Sequence, residues 1–164
     1  MVYLRQLSVG DGTIFYDMLQ KIEKEVFAMH NVVNGATYDE YEAWLKEMDD
    51  WANSRNLPNG YVKQKTYWLM DSEMPVGYVR LRFELNDKSR EYGGSFGYAI
   101  SSEYRNKGYG TLLIQKLLEI AQEEKIEEFM SMVDKNNVAS NRIMQKCGGK
   151  IFKENEIYNY YRFW

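Results

Sequence analysis

At 164 residues, with 45% hydrophobic and 27% charged side chains, the chain has the make-up of one globular domain, residues 1–164, with a single core. The net charge of −3 supplies no global positive field, so nucleic acid is not an expected partner. Cys147 is the only cysteine, which excludes an intrachain disulfide and a cysteine-based zinc cluster; no run nears the ~20 apolar residues of a membrane span, and "MVYLRQLSVGDG" lacks a signal-peptide core, so a cytoplasmic location away from membranes is expected.

"VYLRQL" alternates as a first strand. Ile14, Met18, Leu19, Ile22 and Val26 recur at helical spacing and predict a first helix that fades near His30. In "TYDE", Thr37 and Glu40 match a capping box, so a second helix is expected from about Tyr38 towards Asn53, with Tyr41, Trp44, Leu45 and Met48 on its apolar side. "NLPNG" breaks the chain. "KTYWLMD", "MPVGYVRLRFEL" and "GGSFGYAIS" follow as strands, the first two joined by a tight turn at Asp71-Ser72-Glu73. Leu112, Leu113, Leu117, Leu118, Ile120 and Ala121 give the next helix a broad apolar face. "EEFMSMVD" reads as a strand and "NVASNRIMQKC" as a helix, started by Asn136 or Asn137 and ended by Gly148-Gly149. "KIFKE" and "IYNYYRFW" complete the chain as strands. The order βααβββαβαββ implies a mixed sheet flanked by helices, with a central parallel pair joined by a right-handed crossover.

Between "SFGYAISS" and "TLLIQKLLEIAQEE" lies Arg105-Asn106-Lys107-Gly108-Tyr109-Gly110, "RNKGYG". A helix start presents unsatisfied N–H groups and about half a positive charge. Gly108 and Gly110 let that backbone curl round an anion without a Cβ in the way, and Arg105 and Lys107 add charge at the rim. A diphosphate suits this arrangement, and plain turn chemistry accounts for the same residues. The dinucleotide fingerprint lacks its third glycine, since Ile114 or a neighbour stands there, and the triphosphate loop Gly-x-x-x-x-Gly-Lys-Ser/Thr is absent.

"FGYAIS", then Arg105-x-x-Gly108-x-Gly110, then an amphipathic helix resembles the acetyl-CoA-binding motif of the GNAT superfamily of N-acetyltransferases. Asn137, followed by Gly148 at a helix end, resembles that family's second signature, and the element order is similar across nearly the whole chain. The resemblance implies an α/β (α+β three-layer) fold, mostly antiparallel, with "SFGYAIS" and "EEFMSMVD" as a splayed parallel pair. It further implies acetyl-CoA as cosubstrate without metal, and direct transfer of acetyl to a primary amine of a small molecule or peptide. Backbone groups near Tyr98, Ile100 and Ser102 would pair with the pantetheine arm, amides of Lys107, Gly108, Tyr109, Gly110 and Thr111 would hold the diphosphate, and Asn137 would bond the arm. The N–H of Tyr98 or Ala99 would donate to the thioester carbonyl.

The sequence departs from the family at two positions. Met144 stands where many relatives carry a general-acid tyrosine, and Gly94 where histone-type relatives carry a glutamate base. Glu84 or Glu91, and a hydroxyl from Tyr158, Tyr160 or Tyr161, are the candidate proton-transfer substitutes, against the plainer readings of solvated charge and of packing. Cys147 reads as packing, His30 as a surface histidine, and Tyr41, Trp44, Met48 and Trp51 as core or as a lid over an acceptor cleft. A protein N-terminus or lysine as acceptor, and a non-catalytic acyl-CoA sensor, are the rival readings. The aromatic last strand is compatible with a monomer or a homodimer.

Overall fold

The computed structural model describes residues 1–27 and 29–164. The chain runs β1 (Val2–Gln6), α1 (Thr13–Gln20), β2 (Glu25–Val26), β3 (Met29–His30), α2 (Tyr38–Ala52), β4 (Gln64–Asp71) and β5 (Met74–Arg82). It continues through α3 (Asp87–Glu91), β6 (Phe96–Ile100), a 3-10 turn at Ser102–Tyr104, α4 (Tyr109–Glu123), β7 (Met130–Asp134), α5 (Val138–Lys146), β8 (Lys150–Glu154) and β9 (Tyr158–Arg162).

Alternation along β4 and β5 explains the layering. Trp68 and Met70 of β4 and Tyr78 of β5 point to one face, where α1 and α2 cover them with Phe15, Leu19, Trp44 and Leu45. Tyr67, Leu69, Val79 and Leu81 point to the other, against Leu113, Ile114 and Leu117 of α4. Both faces being buried, these strands read as nearly continuous apolar runs. The result is three layers, helices on each side of a sheet.

α2 begins as its capping box dictates: Glu40 N–H donates to Thr37 Oγ1 at 3.2 Å, and Thr37 N–H to Glu40 Oε1 at 3.2 Å. α1 is shorter than its apolar spacing predicts. It ends at Gln20 because side-chain amides further along the chain take over its last carbonyls. Asn31 Nδ2 donates to Leu19 O and Ile22 O, both at 2.9 Å, and Asn34 Nδ2 to Gln20 O and Ile22 O at 3.1 and 2.9 Å. Ile22 keeps its buried place while Val26 passes into β2, which pairs with β3. The strand expected to reach Leu85 stops at Arg82, and Asn86 then caps the short helix α3, where periodicity gave no sign of one.

The sheet is built from two antiparallel parts, ordered β1-β4-β5-β6 and β7-β9-β8. Among the described residues they pair only where β6 and β7 begin. Ser95 N–H donates to Met130 O at 2.8 Å, and Met130 N–H to Ser95 Oγ at 3.0 Å. The one bridge there, Gly94 with Ser131, has antiparallel geometry, and no ladder continues from it. Beyond this clasp, the two strands on either side of the α4 crossover splay apart.

Candidate active site

The register decides which backbone groups face the gap. In an antiparallel ladder, every second residue directs both N–H and C=O at its partner. Ser101 N–H donates to Val76 O at 2.9 Å and Arg82 N–H to Ser95 O at 2.7 Å, so Gly97 and Ala99 also face β5. Phe96, Tyr98 and Ile100 therefore turn their peptide groups the other way. On β7, Phe163 N–H to Phe129 O and Lys135 N–H to Ile157 O fix the same alternation, and Met132 faces the gap. Tyr98 and Met132 thus offer open backbone edges across a wedge. Ala99 N–H is committed to the ladder, which separates the two oxyanion-donor candidates in favour of Tyr98. Ile100 O accepts from Arg105 Nε at 2.9 Å, and Ser102 N–H donates to Lys21 O at 3.0 Å, so the edge ends there.

A cavity of about 900 Å³ occupies the wedge and reaches both faces of the sheet. Tyr98, Ala99 and Ile100 line it from β6, Gly108 to Thr111 from the turn, and Asn137 from α5. Gly108 precedes α4 at φ 86°, a left-handed position suited to glycine, and no side chain caps the helix start. A Cβ on Gly108 would meet nothing within 4 Å, whereas one on Gly110 would lie 2.8 Å from Ile143 Cδ1 and 3.8 Å from the Tyr98 ring. The uncapped start of α4 thus borders the cavity, and Gly110 permits close contact between α4 and α5. That geometry fits a diphosphate. Tyr98 shares a 2.8 Å hydrogen bond with Ser140, and burial pushes its phenol pKa up.

The charges are arranged differently from the expectation. Arg105 is clamped by Glu23, Nη1 to Oε1 at 2.7 Å and Nη2 to Oε2 at 2.5 Å, and this holds the Glu23 carboxyl down at about 2. Lys107 lies over the Tyr104 ring, 5.6 Å from its centroid, outside the cavity lining. Arg105 still lines the cavity, but the rim cations on this side that make no ion pair among the described residues are Arg142 and Lys146, one helical turn apart on α5. That spacing was readable in "NRIMQK", but no motif drew attention to it. Asn137 Oδ1 accepts from Ser140 N–H at 3.1 Å as a helix cap, and among the described residues no hydrogen bond uses its Nδ2.

Glu84 is exposed and Tyr158 packs edge-on against Tyr92 at 6.2 Å; neither lines the cavity. Glu91 pairs with Lys153 at 2.7 Å, Tyr160 Oη donates to Glu91 O, and Tyr161 Oη to Asn141 Oδ1. Cys147 is half-buried with its thiol pKa raised by that burial. His30, on the cavity edge, lies 3.4 Å from Glu25. Met144 is fully buried in the α4 core, so its side chain does not reach the wedge. A Cβ on Gly94 would stand 2.9 Å from Met130 O at φ 67°, so the clasp itself excludes a side chain there.

On the α1/α2 face, Trp44, Met48 and Trp51 are both core and cavity wall, while Tyr41 belongs to the core alone. Glu47, Tyr61, Arg80 and Arg82 join them. Among the described residues no group of three or more His, Cys, Asp or Glu could hold a metal ion, and no helix is long and apolar enough to cross a membrane.

Comparison with known proteins agrees with this geometry. The family model for the acetyltransferase (GNAT) domain matches residues 2–150. N-acetyltransferase PseH of Campylobacter jejuni, crystallised with acetyl coenzyme A, superposes with a TM-score of 0.65 at 15% identity over 99% of this chain and 97% of that one. RimL, an alpha-N-protein acetyltransferase crystallised with coenzyme A, gives 0.69 at 13% identity over 98% and 92%. A spermidine N-acetyltransferase chimera of Vibrio cholerae SpeG and hSSAT gives 0.61 at 20% identity over 98% and 92%. No curated protein matches the chain significantly. With the family matched over nearly its whole length, and a wedge, an uncapped glycine turn and open strand edges that suit coenzyme A, the chain belongs to the GNAT acetyltransferases.

Proposed function

We propose that this protein is an N-acetyltransferase that passes acetyl directly to the primary amine of a small molecule, with both substrates bound at once. One observation carries the reading: a single cavity runs between β6 and β7, with the α4 turn on one side of the sheet and an aromatic chamber on the other. Donor and acceptor can thus meet in the wedge from opposite faces. The walls at Trp44, Trp51 and Tyr61 suit a small acceptor better than an extended peptide.

Bound acetyl-CoA would supply the activated acetyl thioester. The amides from Gly108 to Thr111 hold its diphosphate, Arg142 and Lys146 add positive charge beside it, and Asn137 Nδ2 bonds the pantetheine arm. Tyr98 N–H donates to the carbonyl oxygen on which negative charge gathers as the amine attacks; the C–S bond then breaks, and the departing thiolate takes up the second proton that the new amide nitrogen sheds. An alkylamine with a pKa of about 10.4 enters protonated, so its proton must leave first. Glu47, a carboxylate on the acceptor side of the cavity, takes it through water. Positioning and the Tyr98 donor supply most of the rate, so no one side-chain deletion outside the turn is decisive.

Thiol release from acetyl-CoA against a panel of amines, peptides and aminoglycosides tests this. Amine-dependent release is the expected result. Coenzyme binding with only slow hydrolysis, and no gain from any amine, would defeat it in favour of an acyl-CoA sensor.

A further inference from the structure

On the acceptor side of the cavity two arginines form no ion pair, although the Glu47 carboxylate lies near enough to Arg80 to act on its charge. Arg80 and Arg82 stand two residues apart on β5, so both project to the face shared by Tyr78 and the α1/α2 layer, away from the diphosphate turn. Four other arginines are paired: Arg5 with Asp11, Arg55 with Asp49 and Asp50, Arg90 with Glu128, Arg105 with Glu23; Arg142 and Arg162 are exposed and make no ion pair among the described residues. Among the described residues, neither Arg80 nor Arg82 lies within 4.0 Å of a carboxylate, and both line the cavity.

Their settings differ usefully. Arg80 has its guanidinium 5.4 Å from the Trp51 ring centroid, and its Nε is buried with no hydrogen-bond partner among the described residues. A guanidinium that only braced the fold would have its buried donors paired, as Arg105 has its Nε on Ile100 O, because an unpaired buried N–H is costly. Arg82 is anchored by one contact, Nη1 to Gly94 O at 2.6 Å, which fixes it beside the clasp where the wedge closes. Directly across the ladder from Arg82 stands Gln64, 3% exposed, whose Oε1 also lacks a partner. One region thus offers fixed donors for an anion next to an orphan acceptor for an N–H. Burial lowers both guanidinium pKa values, which leaves arginine cationic but poorly solvated and receptive to a counter-charge.

We propose that the acceptor carries an anionic oxygen group, carboxylate or phosphate, beside its amine, that Arg80 and Arg82 bind that group, and that Gln64 Oε1 receives an N–H of the same molecule. This rests on the acetyl-transfer reading above and narrows its substrate class. Coenzyme phosphates do not answer for these arginines, since the turn that suits them lies across the sheet. The bidentate fork of arginine suits either anion.

The test uses matched acceptors in the thiol-release assay: an α-amino acid against its carboxamide, and an amino-sugar phosphate against the unphosphorylated amino sugar. The anionic member of one pair should be favoured about ten- to a hundredfold in kcat/KM, the range expected for a charged hydrogen-bonded contact, and the pair that responds distinguishes carboxylate from phosphate. Arg80→Gln and Arg82→Gln should each erase most of that preference with coenzyme A affinity unchanged, while Arg80→Lys, which keeps charge but loses the fork, should retain part of it. Melting curves verify that each variant is folded. Equal or better use of the neutral acceptors, or a preference that survives both glutamine variants, overturns the proposal. Should no amine give thiol release, the transfer reading fails by itself, and tryptophan fluorescence titrated with inorganic phosphate and with acetate decides the arginines. A saturable change lost in Arg80→Gln supports them as an anion site; no saturable change in the wild type overturns it.

Discussion

The pairing of Arg105 with Glu23 makes a sharp prediction about coenzyme binding. The sequence places Arg105 as a phosphate-holding cation, whereas in the structure three of its N–H groups go to Glu23 and Ile100 O. It then acts as a brace between the α4 turn and the loop after α1. The drop of the Glu23 carboxyl from 4.5 to about 2 converts at face value to about 3 kcal/mol. Glu23 is 49% exposed and Arg105 35%, and solvent screening reduces that to about 1 kcal/mol. If all of it is needed to hold the turn in its binding shape, coenzyme A affinity falls about fivefold on losing the pair. Isothermal titration of coenzyme A should therefore give losses of about three- to fivefold for Glu23→Gln, Arg105→Gln and the double variant alike, because the two side chains act as one unit. A loss beyond tenfold in Arg105→Gln, with Glu23→Gln unchanged or tighter, would refute the brace and return Arg105 to the phosphate. The pair also has a pH signature. Glu23 has a depressed folded pKa, so its stabilisation is complete above about pH 4.5 and is lost as pH falls towards about 2. The melting temperatures of wild type and Glu23→Gln should differ near neutrality and converge at the acid end.

Three further outcomes follow from the same geometry. Gly108→Glu should abolish coenzyme A binding by titration, since it puts a carboxylate beside the helix start and strains a residue at φ 86°. Gly94→Glu should restore no catalytic base; with a Cβ 2.9 Å from Met130 O at φ 67°, it should lower stability by about 2–3 kcal/mol in denaturant melts. Cys147→Ser should leave acetyl transfer within about twofold, and iodoacetamide should label wild-type Cys147 slowly near pH 8, because burial raises its thiol pKa.

What the sequence made legible was local. The capping box of Thr37 and Glu40, the turn at Ser72 and the uncapped glycine start of α4 all depend on neighbours a few residues away. What it hid depends on distant partners. Nothing in the helical spacing of Ile14 to Val26 reveals that Asn31 and Asn34 fold back to end α1. Nothing in "RNKGYG" reveals that its arginine is held by Glu23, 82 residues earlier. The wedge was expected from resemblance, but the choice of Tyr98 over Ala99 needed the ladder register. The cavity cations were present as spacing, Arg142 with Lys146 on a helix and Arg80 with Arg82 on a strand. Only the packing shows that both pairs line one cavity.

The splayed edges also give the protein its own reporters. The amides of Tyr98 and Met132 have no ladder partner, while their neighbours Ala99 and Val133 are locked into the two half-sheets. In hydrogen–deuterium exchange the first pair should be labile in the free protein without any unfolding, and the second pair slow throughout. A ligand that fills the wedge would silence Tyr98 and Met132 alone, so occupancy of the cleft can be followed at single peptide groups before any acceptor is known.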